Sequence, residues 1–507
     1  MTAPLDLSAP LYAPRFRVEP MRGGKLLLDT DNAHWIAVSE AGAAALTLAR
    51  GRTAAEIATE FAPTVAGLER FLKQAHQREF LSNKPYLPML YSGRSSSLKL
   101  DRLHEFWVVP NYDCNLRCRH CYTIEQVIGN PARLPGSTAC AIIDDAKKLG
   151  TEIFYFTGGE VLQHPDIFEM IEHVTRDRKA IVFTNGMHID DAVAARLARS
   201  RDRLIVQISI EGPDEASNRL IRGNLAFDPA WQGLINCLRH GVRVGVSSTP
   251  CKATAIELAK LTARLCTLNV DGRGVEYHHL IMLLDVGGVK KNASRTYLTS
   301  DEYTDVLNRC SDAAAQGRKE HGSRLVVANE KIHHACASNG PKKDFCGAGY
   351  TILGVDPEGN LKTCAATIND PKYHLGSLLQ GDGSYILGTL EQHWRHGERT
   401  QWVRNFTLAR RQGEPDDDLR FFHGGACWYN MTDPEGPLST SHPFYKSLED
   451  STLAAIRAEA EKRSTGVIDG FALRAYMHRS RIACAGSRKT VDESPSGLDI
   501  GYCICFA

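Results

Sequence analysis

Between residues 104 and 282 the chain alternates strand-like runs with intervals long enough for helices, and few architectures accept that order. His104 to Pro110 is the first run, and Glu152 to Phe156, Ala180 to Gly186, Leu204 to Gly212, Val242 to Ser247 and Val275 to Met282 follow it. Strands spaced in this way form βα units around a parallel sheet, and the active sites of such folds gather beyond the C-terminal strand ends. Six runs do not supply a closed eight-stranded barrel. The expected core is α/β, with its chemistry-bearing residues just after its strands.

The first such place holds Tyr112-Asp113-Cys114-Asn115-Leu116-Arg117-Cys118-Arg119-His120-Cys121-Tyr122. Three thiolates spaced C-x3-C-x2-C hold three corners of a [4Fe-4S] cluster and leave the fourth iron open, whereas an electron-transfer cluster normally takes four. A zinc knuckle is the competing reading of a short cysteine run. It needs a fourth ligand close by, and His120 sits inside the short C-x2-C spacing, poorly placed to close a tetrahedron. One βα unit later comes Gly158-Gly159-Glu160. Two glycines admit close approach of backbone to a ligand, and a carboxylate there can accept from an ammonium group. Asn185, Ser209 and Glu211 lie at the ends of the next strands, where they can bond hydroxyl or carboxylate groups. Arg222 offers a guanidinium for bidentate pairing with a carboxylate.

Together these residues resemble the radical S-adenosylmethionine (SAM) enzymes, the cysteine motif and the Gly-Gly-Glu loop carrying the likeness. The resemblance implies a six-stranded partial (β/α) barrel and a cluster ligated by Cys114, Cys118 and Cys121. It implies SAM chelated at the open iron and cleaved by one electron to methionine and a 5'-deoxyadenosyl radical. Tyr122 would then pack near the adenine, and Gly158, Gly159 and Glu160 would meet the methionine amino group. Asn185, Ser209, Glu211 and Arg222 would bind the ribose, the methionine carboxylate or a substrate carboxylate. Glutamate at 211 departs from the family, where aspartate is common ahead of a downstream Arg-Gly such as Arg222-Gly223.

Residues 1–98 read as a separate module. Strand-like runs at Arg15 to Val18, Lys25 to Leu28 and Trp35 to Val38 precede helix-like stretches over 39–48, 53–61 and 64–80, with Ser39 and Thr64 as caps. The order looks like a small winged-helix domain. It resembles the precursor-recognition element related to the small chaperone of pyrroloquinoline quinone synthesis, in which a leader peptide adds to a sheet edge. A stabilising cap and a nucleic-acid-binding wing share the same order of elements.

Farther on, Cys346, Gly359 and Cys364, with Asp356-Pro357-Glu358-Gly359 as a turn, look like the opening of the SPASM extension of peptide-modifying radical SAM enzymes. There a hairpin holds an auxiliary iron–sulfur cluster. The resemblance implies Cys336, Cys346, Cys364 and Cys427 as the four thiolates of a closed site. The usual second cluster lacks its residues, since Cys427 alone remains of a C-x2-C-x5-C-x3-C run. Cys484, Cys503 and Cys505 stand as ligands of a second auxiliary cluster, with surface thiols and a substrate-like tail as alternatives.

The chain thus divides into a winged-helix-like peptide recognition domain (1–98), a radical SAM partial barrel (99–330), a SPASM-like auxiliary cluster domain (331–435) and a C-terminal helical segment with a cysteine-containing tail (436–507). A length of 507 residues accommodates several domains. A formal charge of +1 makes no broad electrostatic case for nucleic acid. The sequence has neither a signal-peptide pattern nor a run of eighteen uninterrupted apolar residues, so no membrane association is expected. The expected location is cytoplasmic, where fifteen cysteines argue for metal or thiol chemistry over disulfides.

The expected function is a radical SAM maturase of a precursor peptide or small protein substrate, with flavodoxin or ferredoxin as reducing partner. Hydrogen abstraction would lead to a thioether, carbon–carbon or carbon–oxygen crosslink. One alternative is an anaerobic sulfatase-type maturase that makes formylglycine, although such enzymes ordinarily lack a fused leader-binding domain and keep the second cluster's cysteines. Another is a non-enzymatic peptide-binding iron–sulfur scaffold.

Overall fold

Alternation of side chains across a small sheet builds the N-terminal part. After β1 (Leu11–Tyr12), the strands β2 (Arg17–Met21), β3 (Gly24–Asp29) and β4 (His34–Val38) pair antiparallel in that order. The register sets Leu27 opposite Ile36 and Leu28 opposite Trp35, so successive residues serve opposite faces. One face, with Leu27, Ile36 and Val38, packs under α1 (Glu40–Leu48), α2 (Ala54–Ala58) and α3 (Val65–Gln77), with β5 (Arg50–Arg52) returning to β1. Ser39 caps α1 by accepting from the Gly42 amide at 3.1 Å. The other face, with Leu26, Leu28, Trp35 and Ala37, is covered by Leu419, Phe422, Leu453, Ile456 and Ala460.

The structure is a computed structural model that describes residues 4–21, 23–60, 65–87, 100–281, 283, 297–329, 347–404, 419, 422, 452–454, 456, 457 and 460. Its larger unit is one mixed sheet of ten strands. The chain order is β6 (Glu105–Val108), α4 (Ile124–Gly129), α5 (Gly136–Lys148), β7 (Ile153–Phe156), α6 (Ile167–Thr175), β8 (Lys179–Thr184), α7 (Asp191–Leu197) and β9 (Leu204–Ser209). It continues through α8 (Glu215–Arg222), α9 (Phe227–Arg239), β10 (Arg243–Ser248), α10 (Glu257–Cys266), β11 (Tyr277–Leu280), α11 (Ser300–His321) and β12 (Val326–Asn329). Strands β6 to β12 lie side by side and parallel. β6, β7 and β11 are buried at every position, as strands covered on both faces must be; β7 accordingly reads as a continuous apolar run, whereas Glu105 in β6 and His278 and His279 in β11 put polar side chains into the buried sheet.

The sheet extends beyond the six strands counted from sequence. β12 follows the long helix α11, whose N-terminus is fixed by a reciprocal Thr299–Glu302 capping box. At the other edge β13 (Ile352–Val355) pairs parallel with β6, and β14 (Asn360–Lys362) and β15 (His374–Ser377) continue antiparallel. The hairpin turn between β13 and β14 is made as its residues suggest: Asp356 accepts from the amides of Glu358 (3.0 Å) and Asn360 (2.8 Å), and Gly359 supplies a φ of +79°. Helices α12 (Thr389–His396) and α13 (Glu398–Arg404) pack beyond it.

Candidate active site

The loop that leaves β6 carries all three motif cysteines to the C-terminal ends of the neighbouring strands. Cys114, Cys118 and Cys121 line one cavity of about 850 Å³, part of it open to solvent. Among the described residues no group of three or more His, Cys, Asp and Glu side chains is placed to hold a single metal ion. Burial pushes the Cys114 thiol up to about 12 and raises Cys118 as well. Such thiols make poor nucleophiles at neutral pH and suit sites where a metal displaces the protons.

Strand ends furnish the rest of the wall. Thr157, Gly158 and Gly159 follow β7, Asn185 follows β8, Ser209 ends β9, Thr249 follows β10, and Ile281 and Leu283 follow β11. Tyr122 lines the cavity too, its hydroxyl 3.4 Å from Thr157 Oγ1 and its ring packed with Val109, Tyr112 and Ile368. Gly158 has a φ of +154°, and a methyl added at Gly159 would run into the carbonyl oxygens of Tyr112 and Asp113. The two glycines therefore let this loop lie directly against the backbone entering the cysteine run. The Gly159 amide donates to Asn111 O at 3.1 Å and the Glu160 amide to Asp113 O at 2.6 Å, which fixes that approach.

The two carboxylates expected at SAM are turned into the protein and are not among the cavity-lining groups. Glu160 is buried, accepting from Thr184 Oγ1 (2.6 Å) and the amides of Asn185 (2.8 Å) and Leu162 (3.1 Å). Burial raises its carboxyl above the usual range. Asn185 continues the bracing: its Nδ2 donates to Asn115 Oδ1 at 2.7 Å, within the cysteine loop. Glu211, wholly buried, accepts from Arg222 Nη2 (2.7 Å), Arg222 Nε (3.1 Å) and the Thr249 amide (2.8 Å), with His120 Nε2 at 3.1 Å. Burial pushes its carboxyl up, but Arg222, His120 and Thr249 outweigh that and bring it down to about 2. Arg222 lines the cavity, with Nη1 3.9 Å from Cys118 Sγ.

His120, Leu116, Val127, Phe183, Thr184, Thr249, Ile281 and Leu283 also line the cavity, though no motif in the sequence marks them for it. The strand-end rule that singled out Asn185 and Ser209 would have reached Thr249 and Ile281. His120, which from its spacing alone reads as a poorly placed zinc ligand, instead lines the cavity with Nε2 3.1 Å from Glu211 Oε1. Cys364 is buried after β14, in a turn whose Asn369 Nδ2 donates to Tyr122 O at 3.1 Å, so this part of the chain abuts the cysteine loop. Cys336, Cys346, Cys427, Cys484, Cys503 and Cys505 lie outside the described residues.

Three thiols around one cavity, a cradle that only glycines admit and a cation beside one sulfur fit a cluster held at three corners, with room beside it for a small molecule. Residues 108–251 match the model of the radical SAM superfamily. The chain is 27% identical over 316 residues to the mycofactocin maturase MftC of Mycolicibacterium smegmatis, an alignment covering 58% of this chain and 70% of that protein. Native anSMEcpe with bound AdoMet is similar in fold at a TM-score of 0.54 and 15% identity, covering 70% of this chain and 97% of that one. Streptococcus suis SuiB is similar at 0.51 and 15%, covering 85% and 99%. The stretch 108–251 is thus a radical SAM domain, and it contains the cysteine loop, the glycine loop and the Glu211–Arg222 pair.

Proposed function

We propose that this chain is a radical SAM maturase acting on a ribosomally made peptide or small protein. The observation that carries the reading is the convergence of Cys114, Cys118 and Cys121 with the Gly158–Gly159 loop on one strand-end cavity, inside a stretch that matches the radical SAM superfamily. Similarity to a mycofactocin maturase supports a peptide substrate. With a cluster and SAM bound, the site supplies one-electron cleavage of SAM and a carbon radical for hydrogen abstraction. The protein's own task is to bind, orient and exclude water. Asn185 and Ser209 present hydrogen-bonding groups on the wall, while Leu116, Val127, Phe183, Ile281 and Leu283 give it an apolar side.

In this reading residues 1–98 form a winged-helix-like module that holds a leader peptide, and 99–330 the partial barrel. Residues 331–435 bring an auxiliary cluster at Cys336, Cys346, Cys364 and Cys427, and 436–507 carry the tail thiols Cys484, Cys503 and Cys505. Flavodoxin or ferredoxin is the reductant, in the cytoplasm. A thioether, carbon–carbon or carbon–oxygen crosslink is the product. Among the described residues no helix is long and apolar enough to cross a membrane.

The test is anaerobic reconstitution, reduction and chromatography for 5'-deoxyadenosine, with mass spectrometry of a peptide encoded beside this chain. The wild-type protein is expected to release the nucleoside and alter the peptide mass. The variant with Cys114→Ala, Cys118→Ala and Cys121→Ala should retain its auxiliary iron yet release none. Undiminished cleavage by that variant would overturn the assignment.

A further inference from the structure

We propose that Arg222, held by Glu211, donates to the sulfur of Cys118 and so raises the reduction potential of the cluster that Cys114, Cys118 and Cys121 would hold. The proposal rests on the radical SAM reading of the cavity and adds a tuning role for a side chain that reading leaves to carboxylate binding.

The three thiols have unlike surroundings. Cys114 Sγ accepts from the Leu116 amide at 3.4 Å, and Cys121 Sγ lies 3.4 Å from Thr123 Oγ1, both neutral partners. Cys118 alone among them has a guanidinium against its sulfur, Nη1 at 3.9 Å, and both residues are buried. A charge acts more strongly there than in water. Nε and Nη2 are already committed to Glu211 at 3.1 and 2.7 Å, which leaves Nη1 directed at Cys118. Glu211 is itself fixed by the Thr249 amide and by His120. A second tie acts independently: the Arg119 amide donates to Ile221 O at 2.9 Å, joining the residue after Cys118 to the residue before Arg222. The guanidinium–sulfur distance is thus set from both sides. Although the Arg222–Glu211 pair is neutral overall, its positive end faces the sulfur.

Reduction adds one electron, from dithionite in the test below, and no atom changes place. The added negative charge is what a cationic donor at a ligand sulfur stabilises, and hydrogen bonds to sulfur are among the determinants of cluster potential. Glutamate at 211 matters because its length spans from the end of β9 to the Arg222 fork, the Thr249 amide and His120 together. Aspartate would draw the guanidinium back from Cys118.

The experiment uses the full chain, reconstituted anaerobically, with an EPR-monitored redox titration of the cavity cluster without SAM, then SAM binding by calorimetry. Arg222→Gln is expected to lower the midpoint potential relative to wild type and to an Arg219→Gln control on the exposed side of the same helix. Should Arg222→Gln fail to take up iron, Glu211→Asp decides by the same titration, with a lower potential expected. An unchanged potential in the variant that carries a cluster overturns the proposal. So does an unchanged potential with weakened SAM binding, which would assign Arg222 to the SAM carboxylate alone. A wild-type chain without a cavity cluster would overturn the functional reading and this inference together.

Discussion

Glu211 has no solvent to stabilise its charge, so its ionised state depends on Arg222, His120 and the Thr249 amide. With the carboxyl near 2 when folded and at its ordinary 4.5 when unfolded, its contribution is fully present above 4.5 and is lost as pH falls through about 2. Glu211→Gln strands Arg222 without its buried partner and is expected to cost about 3–5 kcal/mol at neutral pH. Urea midpoints of both proteins check this, and the gap should shrink below pH 4.5; a pH-independent gap contradicts it. His278 has its ring nitrogens 2.8 Å from Ser248 Oγ and 2.9 Å from Thr262 Oγ1, and burial lowers it from 6.5 to about 4. Being neutral when folded, it contributes stability above 6.5 that is lost toward 4, at roughly 1.4 kcal/mol per pH unit inside that window. His278→Asn should flatten that slope in the same denaturation series. The sequence pointed to Glu160 and Glu211 by residue type and place, but it did not disclose their direction. β9 ends at Ser209, so the two-residue alternation that orients Ser209 no longer governs Glu211.

The parallel strands were legible as elements because burial on both faces leaves an unbroken apolar run, as in Ile153–Phe156. Partners were less legible. β13 joins β6 across more than two hundred residues of chain, and nothing in Ile352–Val355 specifies that neighbour. β12 carries a similar apolar run, Leu325 to Ala328, but it is the edge strand of the sheet with Val326 exposed, and the run alone does not say what it pairs with. Its approach depends on α11, where Thr299 accepts from the Glu302 amide at 3.2 Å and Glu302 Oε2 accepts from the Thr299 amide at 2.7 Å. Thr299→Ala is expected to cost about 1 kcal/mol, read as a lowered denaturation midpoint. The glycine loop after β7 is more demanding. Gly159→Ala forces a methyl against the Tyr112 and Asp113 carbonyls, with an expected cost of about 1–3 kcal/mol and reduced iron uptake at the cysteine loop. Iron content measured beside thermal unfolding checks both effects.

At the scale of the whole molecule, the N-terminal sheet is not closed by its own helices. α1 to α3 cover Leu27, Ile36 and Val38, while Leu26, Leu28, Trp35 and Ala37 on the reverse face meet Leu419, Phe422, Leu453, Ile456 and Ala460. Arg457 Nη2 also donates to Glu19 Oε2 on β2 at 2.6 Å. Leu26-Leu27-Leu28 and Trp35-Ile36-Ala37-Val38 are unbroken apolar runs, as a sheet buried on both faces requires, but the identity of the distant cover is not legible in them, because a sheet face accepts any apolar partner. A consequence follows for residues 1–98 as a leader-binding module. Taken alone, they would expose the face around Trp35, so leader titrations belong on the full chain. Ile456→Ala is expected to destabilise by about 2–5 kcal/mol, the cost of truncating a wholly buried side chain. Deleting 452–460 should go further, adding hydrophobic-dye binding near the N-terminal sheet while the cysteine cavity, walled by other elements, still takes up iron. Dye binding and iron content measured on the same preparation separate these effects: loss of iron without dye binding would place the segment's contribution at the barrel instead of the sheet.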